Sequence, residues 1–74
     1  MEKYDYTKLR VRIFEVLGSN KELAKAIGIT ETALSLKLNN NNYFTMPNIT
    51  KICEILKISK RDIGTYFFTI KADE

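Results

Sequence analysis

The sequence contains no histidine, a single cysteine and only three glycines. Without histidine the usual zinc-ligand sets cannot be assembled, and the commonest general base at neutral pH is missing. Cys53 has no second thiol to pair with, so no disulfide forms within the chain and the fold must hold by packing. No glycine-rich phosphate loop is present, and no paired carboxylates mark an evident pocket. These absences argue against an enzyme, and no cofactor or metal is expected. The apolar runs fall far short of the ~20 residues that span a bilayer. The start, Met1-Glu2-Lys3-Tyr4-Asp5-Tyr6, breaks up the apolar stretch an export signal needs, so a cytoplasmic location without membrane contact is expected.

What is present suits one small domain covering residues 1–74. A chain this short buries only about 60% of its unfolded surface, so one efficient core is all it can build. Its net charge of +3 and pI near 9.1 give a mild bias toward polyanions such as nucleic acid. Scattered lysines such as Lys21, Lys25 and Lys37 are by default a solvated face, so charge alone decides little.

Apolar residues recur at helical spacing through most of the chain. Leu9, Ile13, Val16 and Leu17 predict a first helix from Thr7 to Leu17, closed by Gly18, with Lys8, Arg10, Arg12 and Glu15 mostly on its other side. Ser19 or Asn20 caps a second helix, Lys21 to Ile27, and Gly28 ends it in a left-handed conformation. Thr30 caps a third, Glu31 to Leu38, with Leu34 and Leu38 inward. Four asparagines, Asn39 to Asn42, then form a polar loop. Thr45 caps a fourth helix that tolerates Pro47 in its first turn and ends near Lys57, its stripe being Ile49, Ile52, Cys53 and Leu56. A short fifth helix runs from Ser59 through Ile63. Beyond it, Tyr66-Phe67-Phe68-Thr69-Ile70 has the aromatic and β-branched composition of an extended segment, followed by a loose tail from Lys71. The expected architecture is all-α, a compact bundle of about five short helices.

The segment from Asn20 to Leu38 carries the strongest signal: two short helices joined by a glycine turn, with Leu23 and Ile27 inward and small Ala24 where the third helix crosses. In this, the sequence resembles the helix-turn-helix of the phage repressor and Cro-like family, the lambda repressor-like fold. The wider chain, Tyr4 to Phe68, looks like small phage-encoded regulators from Gram-positive hosts. The resemblance implies a transcription regulator that binds a double-stranded DNA operator as a homodimer, with helix three in the major groove. It places Thr30, Glu31, Thr32, Ser35 and Leu36 toward the groove, Asn39 near the far end, and Asn20 and Lys21 at phosphate. Lys37 and Asn40 complete the candidate DNA-binding set. Two positions depart from the family pattern. Lys37 stands where an apolar residue is usual, with Leu38 taking the inward place, and Asn40 stands where a glycine often follows the recognition helix.

Plainer readings stand beside these. Leu36 is either a contact residue or a single surface leucine. The aromatic segment at residues 65–74 is a lid on the core or a dimer interface. Lys3, Tyr4 and Tyr6 form an arm that folds onto the core or follows the DNA backbone. Cys53 reads as a small buried hydrophobe. The alternative function is a protein-interaction module such as an antitoxin or antirepressor, using the same helices or the aromatic segment.

Overall fold

The computed structural model describes residues 3–71. Five helices follow in order: α1 (Thr7–Leu17), α2 (Asn20–Ile27), α3 (Glu31–Leu38), α4 (Met46–Leu56) and α5 (Ile63–Phe67), with a 3-10 turn at Lys60–Asp62 leading into α5. The fold is all-helical, and among the described residues the β structure is an isolated antiparallel bridge between Tyr4 and Ile70.

Each element follows from local chemistry. The Thr30 and Thr45 hydroxyls accept from the backbone N–H groups of Ala33 and Asn48, satisfying donors that an uncapped helix start leaves orphaned. At α4 the Asn48 side chain returns the bond to the Thr45 N–H, completing a capping box ahead of Pro47. Helices α1 and α2 end at Gly18 and Gly28, both left-handed, and α4 ends at Lys57, which holds a φ of 59° without being glycine.

These short helices bury their stripes against one another, with α2 packing against α1, α3 and α4. Leu9, Ile13, Leu23, Leu34, Ile52, Leu56 and Phe67 are the fully buried side chains at the centre. The Phe44 ring meets Tyr6 at 5.4 Å and Phe67 at 5.4 Å, both edge to face, the arrangement that ring quadrupoles favour. That triad joins the N-terminal segment, the loop before α4 and α5. Tyr6 therefore packs into the core, as one of the two readings of the arm expected.

The end of the chain corrects the sequence reading. The fifth helix does not stop at Ile63 but starts there and takes in Tyr66 and Phe67. Ile63 and Phe67 are one helical turn apart, so helix brings both to the core side, and that burial overrides the β-propensity of the segment. The lid is partial: Phe67 is buried and Tyr66 half-buried, whereas Phe68 and Ile70 are exposed. Lys71 is held by donating its N–H to the Lys3 carbonyl, and the remainder of the expected loose tail lies outside the described residues. Val16, placed on the apolar stripe of the first helix, lies exposed at the edge of that stripe.

Two outcomes follow from this core. Phe67→Ala should remove ~3–5 kcal/mol, a large share of the roughly 4–11 kcal/mol that ~0.05–0.15 kcal/mol per residue gives a chain of this size. Urea unfolding followed by circular dichroism should find the midpoint sharply lowered, and a loss under about 1 kcal/mol would show that Phe67 is not a keystone. Burial raises the Tyr6 phenol above its ordinary value, so the folded state prefers the neutral form. The stability from this preference is present below the unfolded phenol's pKa of about 10 and is lost as pH rises from there through the raised folded value. Thermal unfolding should show a fall in midpoint above about pH 10 that Tyr6→Phe makes shallower.

Candidate functional site

The α2–α3 pair is built by its turn. The Ser19 hydroxyl accepts from the Glu22 N–H at 3.3 Å, so Ser19 is the cap and Asn20 the first helical residue. At the other end Gly28 takes a φ of 79°, and the Ile29 N–H reaches back to the Ala24 carbonyl at 3.0 Å. This closure reverses the chain and brings half-buried Ile29 against the core. Thr30 then starts α3 at once. Ala24 is almost fully buried, consistent with a small side chain that lets the two helices approach.

On α3, Glu31, Thr32, Ser35 and Leu36 are exposed on one face and line one shallow depression. Thr30 is exposed, but its hydroxyl is engaged as the cap. Lys21 is exposed at the start of α2, with Asn20 half-buried beside it. Three other sequence-predicted residues are held by the protein itself. Lys37 is buried at 8% exposure and donates from Nζ to the Tyr43 carbonyl at 3.0 Å. The expectation that Lys37 reaches DNA is therefore corrected: both Lys37 and Leu38 turn inward, and the ammonium ties down the following loop. Asn39 stays exposed, but its Oδ1 accepts from Arg10 at 2.9 Å and its Nδ2 donates to the Ser35 hydroxyl at 3.3 Å. Asn40 is half-buried, and its amide binds the Tyr4 backbone at both ends.

Sequence reasoning missed several residues. Arg10 and Arg12 were placed on the solvent side of α1, yet Arg10 donates to the Leu38 carbonyl at 3.1 Å and Arg12 to the Leu56 carbonyl at 2.9 Å. Each closes the C-terminal end of a neighbouring helix, where free carbonyls and the negative end of the dipole attract a cation. Tyr43 and Met46 were also overlooked, and both are strongly exposed close behind α3. The signal for Tyr43 was its neighbour: of two adjacent aromatics in a loop, Phe44 enters the core and leaves Tyr43 outside.

The electrostatics follow from these placements. With Lys37 inside, the outward charge on α3 is the carboxylate of Glu31. The loop from Asn39 through Thr45 and the first turn of α4 have no charged residue, while Leu36, Tyr43 and Met46 show 42%, 53% and 69% of their surface. Lys21 and Lys25 on α2 are exposed, as is Arg10, whose guanidinium sits on Leu38 and Asn39 at the end of α3. The surface is thus polar, apolar and weakly acidic along α3. Among the described residues no group of three His, Cys, Asp or Glu side chains is placed to hold a metal ion. Burial pushes the Cys53 thiol up, which keeps it protonated and a poor nucleophile. Among the described residues no helix is long and apolar enough to cross a membrane.

Comparison with curated proteins finds no match. Among solved structures the chain is similar to the solution structure of the modulator of repression of the temperate bacteriophage TP901-1 from Lactococcus lactis. The two are 37% identical over 88% of each chain, with a TM-score of 0.77. A family model matches residues 2–70, which takes in all five helices and the bridge at Ile70, and on that match the chain belongs to the DUF739 family, described as proteins of unknown function.

Proposed function

We propose that this chain regulates phage repression as a protein-interaction module, binding a repressor protein through the outward side of α3 and the loop behind it. It acts by binding rather than by catalysis. The likeness to a phage modulator of repression supports the regulatory role. The observation that carries the choice of partner is the outward face of α3, which offers Glu31, Thr32, Ser35 and Leu36 while the helix's one lysine is turned inside. A duplex presents closely spaced phosphates, and proteins that grip it neutralise several with lysine and arginine. Here Arg10 and Arg12 are engaged on helix ends and the loop is uncharged. Exposed leucine, tyrosine and methionine are instead the kind of side chains that anchor protein interfaces.

Direct DNA binding is the second reading. It is favoured by the arrangement of α2, the Gly28 turn and α3 as a helix-turn-helix, with Thr32 and Ser35 outward and Lys21 and Lys25 on α2. The operator and the homodimer belong to that reading, in which one recognition helix meets only a few base pairs and a second copy extends the site.

Calorimetric titration with the repressor encoded in the same phage genome separates the two. Leu36→Ala and Tyr43→Ala should each weaken binding about tenfold or more, the cost of truncating an anchoring side chain. Lys21→Ala should change it by less than about threefold, as expected of a rim charge. Fluorescence anisotropy with random-sequence duplex DNA should show weak binding even at low salt. Tight binding that falls by about 10³ or more between 50 and 200 mM salt would transfer the assignment to DNA.

A further inference from the structure

Tyr4 is gripped along both edges of its backbone. On one side Asp5 donates to the Thr69 carbonyl at 2.7 Å and Lys71 donates to the Lys3 carbonyl at 2.9 Å. Tyr4 and Ile70 are therefore the non-hydrogen-bonded pair of an antiparallel bridge, which points the Tyr4 N–H and carbonyl the other way. There the carboxamide of Asn40 meets both: Oδ1 accepts from the Tyr4 N–H at 2.8 Å, and Nδ2 donates to the Tyr4 carbonyl at 3.0 Å. A carboxamide carries the donor and acceptor of a peptide group, so this side chain takes the place of a third strand. The backbone of Asn40 has separate work. Its φ of 64° is left-handed, and the next N–H, of Asn41, closes α3 on the Leu36 carbonyl at 2.8 Å.

The same N-terminal stretch braces the loop at two further points. The Tyr6 ring packs edge to face on Phe44, and Arg10 holds both the Leu38 carbonyl and Asn39 Oδ1. Asn39, Asn40 and Phe44, spread along the loop that carries Tyr43, are thus all held from residues 4–10. Few residue types satisfy both demands at position 40. Glycine accepts the left-handed φ but has no amide, whereas aspartate accepts the φ and keeps the acceptor but sets a carboxylate against the Tyr4 carbonyl.

We propose that Asn40 is a positioning residue through which the N-terminal strap, residues 3–6, sets the shape of the α3 contact face, so that partner binding and strap order are coupled. The coupling to a partner rests on the interaction face proposed above, but the clamp itself does not. By linkage the effect runs both ways: loosening the strap weakens partner binding, and a bound partner tightens the strap without touching it.

The test uses the full chain and compares wild type with Asn40→Gly and Asn40→Asp by amide hydrogen exchange and by calorimetric titration with the same phage repressor. In Asn40→Gly, exchange at Asp5 and Lys71 should speed up about tenfold or more while amides of α2 stay as protected as before, the pattern of local rather than global opening. Affinity should fall about fivefold or more, and adding repressor to wild type should slow exchange at Asp5 and Lys71. Asn40→Asp should behave like Asn40→Gly, since it too lacks the donor. If either variant exposes α2 amides, the other decides the comparison, and global exposure in both would overturn the local clamp. Unchanged exchange at Asp5 and Lys71 would overturn the clamp whatever the partner does. Faster exchange with unchanged affinity would overturn the coupling while leaving the repressor assignment to the Leu36→Ala result. If wild type does not bind the repressor at all, the coupling falls with that assignment, and the exchange data still decide the clamp.

Discussion

The constraint on which this fold depends is the need to stop and reverse helices of only two or three turns. With a single cysteine no disulfide forms within the chain, and the ends of α1 to α4 are each turned by a left-handed residue just beyond the helix. Gly18, Gly28, Asn40 and Lys57 all take positive φ. After Gly28, Asn40 and Lys57 the next N–H reaches back five residues, from Ile29 to Ala24, from Asn41 to Leu36 and from Ile58 to Cys53. Each reversal satisfies a carbonyl that would otherwise be orphaned and delivers the following segment back onto the core. At Gly28 it produces the crossing of α2 and α3. At Asn40 it produces the loop that carries Tyr43 and the aromatic Phe44.

Using asparagine rather than glycine at the end of α3 lets one residue act in two directions. Its backbone ends a helix while its side chain completes a small sheet with the N-terminal segment and Ile70. Residues 3–5, residues 69–71 and the loop behind α3 therefore form one structural unit. Arginines reinforce it, because the free carbonyls at the ends of α3 and α4 lie within reach of Arg10 and Arg12. Lys37 adds to this by tying its ammonium to the Tyr43 carbonyl, so three cations of the chain hold its own backbone.

That use of charge separates shape from surface chemistry. A helix pair joined by a glycine turn is a shape many regulators share, and shape alone does not specify what is bound. The electrostatics of the face do more to specify it. With Lys37 inward and the loop uncharged, the outward side of α3 is polar and apolar, and its one charge is the Glu31 carboxylate.

Most of the fold was legible in the sequence. Spacing of apolar residues at three and four, capping hydroxyls at Thr30 and Thr45, and glycines at 18 and 28 are local signals, and local signals set α1 to α4 within a residue or so. The outward set Glu31, Thr32, Ser35 and Leu36 came from the resemblance to the helix-turn-helix family, and all four side chains are exposed in the fold. What the sequence by itself determined was therefore the helices, the turn and the core stripe. Only the tertiary structure decided the fate of Lys37, Asn39, Asn40, Arg10 and Arg12, because each is satisfied by a group whose proximity depends on how the chain packs. It also decided that Tyr66 and Phe67 are helical, because burying Phe67 beside Phe44 outweighs the extended preference of its neighbours. A polar side chain can bond any of several partners, and its choice is fixed only when folding brings one of them within about 3 Å.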